Sequence, residues 1–330
     1  MKNIYRVRIL PRGPWRTPWQ ADTISGLLCS TCARTFGEAQ LRTRLIEPML
    51  GGEPPFVLSD ACPGDLFPVP AAARLADTAL EHRKTVKRAR WMTRGAFDRI
   101  RRGILPSLDE LVPDAPIMEH TRIHNTLARG SMATTVPSGS LFALTEFHLD
   151  HRRTAGSLSV YVRVRPDARE LLVDLLEQLA SSGFGADASA GMGAFDVSDP
   201  VLQPADDLTA APQGADGLVV LSTFQPAPND PIAGSWVAFT KFGKLGPDFG
   251  AADVRKNPLV MLRPGASFLS RDERLFLGHA IPMDEALPQA TANSLRAVGI
   301  ETIHPAFGLA IAAKMPISAG VEDKNDGIHG

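Results

Sequence analysis

The first half of the chain switches between strand-like and helical spacing of apolar residues. Residues 3–11 interleave apolar side chains with arginines, which predicts a strand. Apolar side chains return at helical spacing in residues 24–31, where Asp22 is the expected N-cap, and again in residues 38–50. Phe56–Leu58 is a short apolar run and predicts a second strand.

The next elements surround a leucine-rich helix. Leu158–Val164 is almost entirely apolar and predicts a strand, expected to pair as a hairpin with the strand that ends residues 120–147. Leucines then recur on one helical face, so a helix is expected from Pro166 to residue 181, with Gly183 ending it and a last short strand at residues 194–197. The resulting order β-α-β-β-α-β is that of a ferredoxin-like split βαβ unit.

The second half is richer in strand patterns, and its one predicted helix covers residues 285–297. Its predicted strands are residues 218–224, 235–242, 259–262, 274–281 and 308–315. The fold class expected is therefore α+β, with two ferredoxin-like (RRM-like) domains in tandem. The expected divisions are a first domain at 1–198 with an insertion at about 70–140, a linker at 199–217, a β-rich second domain at 218–317 and a disordered tail at 318–330.

Composition places the chain among ordinary folded proteins. Its 330 residues are 44% hydrophobic and 22% charged, and no apolar run approaches the ~20 residues that cross a bilayer. We expect a cytoplasmic protein without a cofactor or metal. The three cysteines cannot form a disulfide framework, and the pair Cys29 and Cys32 is interpreted as helical buried thiols.

The net charge of −1 conceals a basic stretch at residues 83–102, with nine Lys or Arg and a single acid, Asp98. This stretch has helical spacing from residue 84 and is a candidate for binding a polyanion through its phosphates. The alternative is a solvated basic helix with Trp91 in the core. The residues predicted to contact RNA here are Lys84, Lys87, Arg88, Arg90, Trp91 and Arg94.

Residues 183–195, GFGADASAGMGAF, form a glycine-rich loop between a helix and a strand. A nucleotide-phosphate loop runs from a strand into a helix, so the order of elements here disfavours nucleotide binding by this loop. The bare backbone instead permits close approach of RNA, and we expect enlarging Gly191 or Gly193 to cost RNA binding more than folding. The alternative is a tight turn stabilised by Asp187. The predicted RNA contacts are Gly183, Phe184, Gly185, Ala186, Ser189, Gly191, Met192 and Gly193.

Two smaller polar groups complete the candidates. Residues 120–132 carry side chains that bond phosphates and base edges, and the predicted RNA contacts there are His124, Asn125, Arg129 and Ser131. The alternative is that a histidine of this segment acts as a general acid or base in RNA cleavage. Lys241 and Lys244, with Arg255 and Lys256, form a second basic group that would contact RNA or a neighbouring subunit.

Four segments in this order resemble the RAMP superfamily of CRISPR RNA-binding proteins. WQADTISGLLC at residues 19–29 is similar to its first-helix motif, and FVLSDACP at residues 56–63 to its second strand. Residues 125–129 (NTLAR) and the glycine-rich loop are similar to two further motifs. Together they resemble the subunit that holds the 5′ handle of crRNA in type III-A (Csm) effectors.

The resemblance implies a non-catalytic role. Such a subunit binds the crRNA handle, contacts the large polymerase-like subunit and the first backbone RAMP subunit, and meets target RNA only indirectly. A thumb-like insertion reaches the first spacer nucleotides, and residues 83–102 are the candidate for part of it. The family often has Lys or Arg where Ala188, Ala190 and Met192 stand, so loop contacts would rest on backbone N–H groups and Ser189.

Three alternatives stay open at this point. A RAMP endoribonuclease that matures precursor crRNA would use His124 in acid–base chemistry. The equivalent handle subunit of a Cmr-type complex would share most of the motifs. A purely structural subunit would dock its basic stretch on an acidic partner.

Overall fold

A computed structural model describes residues 3–75, 85, 88–104, 107–112, 116–125, 141–246, 249 and 255–315. The helices are α1 Ala21–Phe36, α2 Glu38–Leu41, α3 Glu47–Leu50, α4 Ala71–Leu75, α5 Arg94–Arg101, α6 His151–Thr154, α7 Arg169–Ser182, α8 Asp206–Thr209, α9 Met283–Ala286 and α10 Gln289–Ala297. A π-helical turn, Arg42–Ile46, joins α2 to α3, so the predicted helical stretch 38–50 is confirmed.

The strands belong to several antiparallel sheets. They are β1 Ile4–Pro11, β2 Phe56–Leu58, β3 Cys62–Pro63, β4 Phe67–Pro68, β5 Trp91–Met92, β6 Leu111–Val112, β7 Ile117–Asn125, β8 Leu141–Leu149, β9 Leu158–Val164, β10 Phe195–Val197, β11 Gln203–Pro204, β12 Gly217–Val220, β13 Gly234–Ser235, β14 Ala238–Lys241, β15 Leu259–Leu262, β16 Ser267–Leu269, β17 Phe276–Pro282 and β18 Ile303–Ala313. The expectation of an α+β protein is confirmed.

The first sheet has the strand order β10-β1-β9-β2, with β11 beside β1 and β3 beside β9. β9 lies centrally because all seven of its residues are buried, so both of its faces must be covered. The predicted hairpin between β9 and the strand before it is wrong. That strand, β8, pairs with β7 from Ile117↔Leu149 to Asn125↔Leu141, while β9 pairs with β1 and β2.

Both faces of this sheet are covered by packed side chains. α7 contributes its predicted leucine stripe, which is buried throughout at residues 171, 172, 175, 176 and 179. On β9, the Tyr161 ring stacks on Phe67 at 5.0 Å, and Phe67 in turn stacks on Phe97 of α5 at 4.5 Å. Side chains from residues 67–97 therefore cover the part of the sheet around Tyr161.

The helix predicted for the basic stretch is shorter than expected. Thr93 caps α5, since its hydroxyl accepts a hydrogen bond from Ala96 N at 3.2 Å. Immediately before this cap, Trp91 and Met92 form β5, which pairs with β4 and β6. The apolar residues predicted to form one helix are thus divided between a short strand and a helix, and periodicity over so few residues does not distinguish the two.

The second half contains a sheet with the order β13-β16-β12-β18-β17 and a separate β14–β15 pair. The predicted strand runs all contain strands, and the predicted helix corresponds to α10. The segment expected to be a linker includes β11, which pairs with β1, and α8. One hydrophobic core joins residues of both halves, including Ile4 and Phe307. Within the described residues, no helix has the length and apolarity to cross a membrane.

Candidate nucleic-acid interface

The glycine-rich loop connects α7 to β10 and needs left-handed backbone at several positions. Its φ angles are positive at Gly183, Gly185, Gly191 and Gly193, and also at the non-glycine residue Asp187, where φ is 60°. Such values are readily available to glycine and tolerated by aspartate. Much of the glycine content is therefore explained by local conformation.

The glycines differ in what surrounds them. A Cβ atom at Gly193 would overlap the carbonyl oxygen of Phe184, and one at Gly185 would lie 2.5 Å from Thr17 Cβ. A Cβ at Gly191 would meet no atom within 4 Å. Enlarging Gly193 is therefore expected to disturb the fold itself, because that residue is buried against backbone, and the prediction that such a change costs RNA binding more than folding fits Gly191 better.

Most backbone donors of the loop already have acceptors inside the protein. The N–H groups of Phe184, Ala186, Ala190, Gly191, Met192 and Gly193 donate at 2.9–3.2 Å to acceptors within the loop or in residues 14–17. The loop thus offers RNA a shaped surface more than a row of open N–H groups. Its exposed residues include Ala186, Ser189 and Gly191, whereas Met192 is half-buried.

Phe184 is a core residue and its ring is not available to RNA. The side chain is fully buried and stacks on Trp19, with ring centroids 3.6 Å apart. Trp19 also meets Phe195 edge-on at 5.0 Å. The three rings hold the two ends of the loop together, so the prediction of a direct Phe184 side-chain contact is corrected to a supporting role.

The β7–β8 hairpin carries the second group of predicted contacts. His124 stacks on Phe142 at 5.6 Å, and Asn125 is exposed beside it. Arg129 and Ser131 lie outside the described residues. Sequence reasoning missed Ile123 and Phe142, which are 72% and 42% exposed. Little in the sequence indicated them, because β7 is exposed along most of its length and lacks the apolar alternation of a half-buried strand.

Several arginines of the basic stretch already form ion pairs within the protein, which the sequence did not indicate. Arg94 pairs with Asp207, with Nε 2.9 Å from Oδ2, and Arg102 pairs with Asp98 at 2.6 Å. The predicted acidic linker thus supplies a counter-charge. Trp91 is half-buried against the core.

Arg101, also in this stretch, is buried, and its guanidinium donates to the carbonyl groups of residues 207, 210 and 312. Arg88 and Arg90 are exposed, and Lys84 and Lys87 lie outside the described residues.

Lys241 points into the protein, which contradicts its prediction as an RNA contact. Its Nζ lies 2.6 Å from Asp22 Oδ2 and donates to Gln20 Oε1 at 2.7 Å and Thr23 Oγ1 at 3.0 Å. The ammonium group is therefore used in binding α1 to the second half. Lys244 is exposed and remains available.

We call the buried polar group at this contact the α1 joint: Asp22, Lys241, His304, Asp60 and Thr223. Asp22 is fully buried, and His304 Nε2 lies 3.1 Å from its Oδ2. Burial alone would raise the pKa of Asp22, but the adjacent His304 and Lys241 lower it to about 2. The predicted N-cap role of Asp22 is wrong, because α1 begins at Ala21 and Gln20 occupies the N-cap position.

The helix is capped instead by Asp60, whose Oδ1 accepts from Ala21 N at 2.8 Å and Thr223 N at 2.7 Å. Burial raises the pKa of Asp60 to about 6, against the lowering effect of these hydrogen bonds. Two of the four recognised motifs, WQADTISGLLC and FVLSDACP, therefore meet in the joint and build the fold.

The three cysteines are free thiols, and Cys29 is half-buried. Cys32 and Cys62 are buried free thiols, and burial raises the pKa of Cys29 to about 12. Across the described parts of the chain, no group of three or more His, Cys, Asp or Glu is placed to hold a metal ion.

No protein-family model matches the sequence, and no curated protein does. Solved structures are similar over nearly the whole chain. A chain of the Csm1–Csm4 cassette in complex with pppApA is 14% identical with a TM-score of 0.60, covering 95% of this chain and 99% of that one. The cassette in complex with cA4 gives 15% and 0.59, covering 95% and 99%.

A chain of the Csm3–Csm4 subcomplex of the type III-A CRISPR-Cas interference complex is 12% identical with a TM-score of 0.58, covering 93% of this chain and 98% of that one. At such low identity the likeness concerns the fold. The chain has, from β1 to β18, the fold of a protein from type III-A Csm assemblies.

Proposed function

We propose that this chain is the non-catalytic subunit that holds the 5′ handle of crRNA in a type III-A CRISPR effector complex. The observation that carries the proposal is the end-to-end likeness to chains of Csm1–Csm4 and Csm3–Csm4 assemblies, at TM-scores of 0.60 and 0.58. The proposed partners are the large polymerase-like subunit, the backbone RAMP subunit and, through the guide, target RNA.

The proposal includes two ferredoxin-like domains in tandem. Support comes from the first sheet, whose chain order β1-α1-β2-β9-α7-β10 and spatial order β10-β1-β9-β2 are those of a split βαβ unit. In the second half, α9 and α10 lie between β17 and β18. The boundaries at 198 and 217 stay predictions.

The proposed RNA surface consists of the exposed side of the glycine-rich loop and the β7–β8 hairpin. Ser189 supplies a hydroxyl, and Gly191 leaves open space for a sugar or phosphate. His124 and Asn125 supply a ring and an amide for unpaired bases. Arg88 and Arg90 add salt-sensitive attraction.

The thumb-like role moves in this proposal from residues 83–102 to the β7–β8 hairpin. β7 is exposed along most of its length, whereas α5 has one buried face. A two-stranded ribbon with exposed apolar and aromatic side chains can stack against splayed bases.

The test is ultraviolet crosslinking of the purified full chain, alone and with its proposed partner subunits, to labelled crRNA. Crosslinks mapped by mass spectrometry are expected between the 5′ handle and both the glycine-rich loop and the hairpin, with the RNA intact. Crosslinks confined to other surfaces, or none with partners present, would remove the proposal.

One observation favours a second candidate, an endoribonuclease. On the hairpin, the rings of His120 and His148 lie 5.0 Å apart, and His148 Nε2 is 3.8 Å from Glu146 Oε2. Two imidazoles and a carboxylate are an acid–base set. Cleavage of repeat RNA that His148→Ala abolishes would establish this activity, and intact RNA would exclude it for that substrate.

A further inference from the structure

A proline- and tryptophan-rich segment, residues 12–19, contacts the glycine-rich loop at several points. We call it the tryptophan loop. Pro14 O accepts a hydrogen bond from Gly193 N at 2.9 Å, and Thr17 Oγ1 accepts one from Ala186 N at 2.9 Å. These bonds use donors from both ends of the glycine-rich loop, so they limit its conformations.

An ion pair adds to these bonds at the centre of the glycine-rich loop. Arg16 contacts the carboxylate of Asp187, the loop residue with φ of 60°. The carbonyl of Asp187 also accepts from Ala190 N at 2.9 Å and Met192 N at 3.2 Å. Residues 183–195 contain no Lys or Arg, so Arg16 brings to the loop a positive charge that the loop itself lacks.

The same segment is bonded to the hairpin. Trp15 N donates to Phe147 O at 3.1 Å, and Phe147 N donates to Trp15 O at 2.7 Å. The Trp15 ring is 2% exposed and lies against the Phe147 ring, with centroids 6.3 Å apart. A reciprocal pair of backbone bonds fixes both position and direction.

We propose that the tryptophan loop holds the glycine-rich loop and the β7–β8 hairpin at a fixed spacing, so that they bind one single-stranded RNA as a composite site. Arg16, Thr17 and Asp187 are positioning residues of that site. The inference rests on the proposed function, because it takes these two elements to be the RNA surface. A preorganised surface binds more tightly because less ordering accompanies binding.

The first arm of the test needs no RNA. Hydrogen exchange of the full chain is measured for wild type, Thr17→Val and Asp187→Asn. Thr17→Val keeps the shape but removes an acceptor, and Asp187→Asn keeps tolerance of positive φ while removing the charge. Faster exchange is expected at the amides of Gly193 and Phe147, with the amides of β12 unchanged. Unchanged exchange at both sites would show that the tryptophan loop does not hold these two elements in place.

The second arm measures affinity for fluorescent crRNA. Thr17→Val, Asp187→Asn and Arg16→Gln are each expected to weaken binding about fivefold, as the loss of one hydrogen bond would. Arg16→Lys, which keeps the charge, should recover part of the loss. Asp284→Asn is the matched control for Asp187→Asn, because Asp284 pairs with Arg296 in the second half and its side chain is 55% exposed, against 48% for Asp187. Equal affinity for wild type and the three variants overturns the inference.

A double-mutant cycle tests the coupling itself. His124→Ala on the hairpin is combined with Thr17→Val, and the combined loss of affinity should be smaller than the product of the single losses. A loss equal to that product shows two independent contacts and overturns the composite site. If the wild-type protein does not bind crRNA, the proposed function is wrong. The hydrogen-exchange measurement still tests whether the tryptophan loop holds the glycine-rich loop and the hairpin in place.

Discussion

The α1 joint and the glycine-rich loop are both polar, yet they are built in opposite ways. In the joint, ionised side chains are buried and paired, as Asp22 is with Lys241 at 2.6 Å. In the loop, the backbone carries the geometry, and side chains such as Ser189 face solvent. Buried ion pairs thus connect α1 to the second half of the chain, whereas backbone conformation forms most of the proposed binding surface.

The largest expected effect is the loss of the central carboxylate of the joint. Asp22→Ala would leave the ammonium group of Lys241, which is mostly shielded from solvent, without its counter-charge and the buried His304 ring without its hydrogen-bond partner. This loss should lower the free energy of unfolding by about 3–5 kcal/mol. Urea unfolding at pH 7 measures it. Asp196→Ala, which breaks the exposed pair with Arg12, is the control and should leave stability almost unchanged, because solvent screens that pair. A similar result for both variants would show that burial gives the joint no special role.

The next effect separates the glycines of the loop. Gly193→Ala forces a Cβ into the Phe184 carbonyl at positive φ, and we expect about 2–3 kcal/mol of destabilisation. Gly191→Ala meets open space and should lower stability by only about 1 kcal/mol, from backbone strain. Urea unfolding of the two variants in parallel checks this order. The reverse order would mean that the loop is not held by the Phe184–Gly193 approach.

A pH effect distinguishes the two carboxylates of the joint. The folded-state pKa of Asp60, about 6, lies above its ordinary value of 3.8, so its contribution is present below about pH 4 and is lost as pH rises through 6. Relative to Asp60→Asn, the wild type should lose up to about 3 kcal/mol between pH 4 and pH 7. Asp22 has the opposite sign, because its lowered pKa removes stability only as pH falls towards 2.

Denaturant unfolding of wild type and Asp60→Asn across pH 4–7 measures this difference. Asp65→Asn serves as the control, because Asp65 is a largely exposed acid whose pair with Arg6 lies outside the joint. A constant difference between wild type and Asp60→Asn would show that Asp60 ionises normally in the fold.

The smallest effect concerns the basic stretch. If exposed Arg88 neutralises a phosphate, Arg88→Gln should reduce the slope of log affinity against log salt by about 1. Arg94→Gln should reduce it less, because Arg94 already pairs with Asp207. Salt titrations of crRNA binding compare the two variants directly. A larger change for Arg94→Gln than for Arg88→Gln would contradict the expectation that the exposed Arg88 neutralises a phosphate.

Local patterns predicted many elements because their causes are local. The leucine stripe of α7 recurs at helical spacing, and Gly183 follows where the helix ends. The hairpin was missed for the opposite reason. β7 is exposed on both faces, so it has none of the apolar alternation from which a half-buried strand is recognised.

The candidate site was predicted only in part. The glycine-rich loop was found because its composition is unusual, but the supporting residues Pro14, Thr17 and Trp19 lie about 170 positions earlier in the chain. Nothing local in PRGPWRTPWQ indicates that it contacts that loop. Phe184 was assigned to the surface because aromatic character does not distinguish a stacking platform from a core ring.

The α+β class, the chain order of β1, α1, β2, β9, α7 and β10 and the place of the glycine-rich loop could all be predicted from the sequence, since they follow from residue spacing and backbone freedom. Which charged side chains form ion pairs inside the protein is visible only in the three-dimensional arrangement. Lys241 meets Asp22 across 219 positions, and Arg94 meets Asp207 across 113. Charges act through space, so a count along the chain cannot tell a paired arginine from one free to meet RNA.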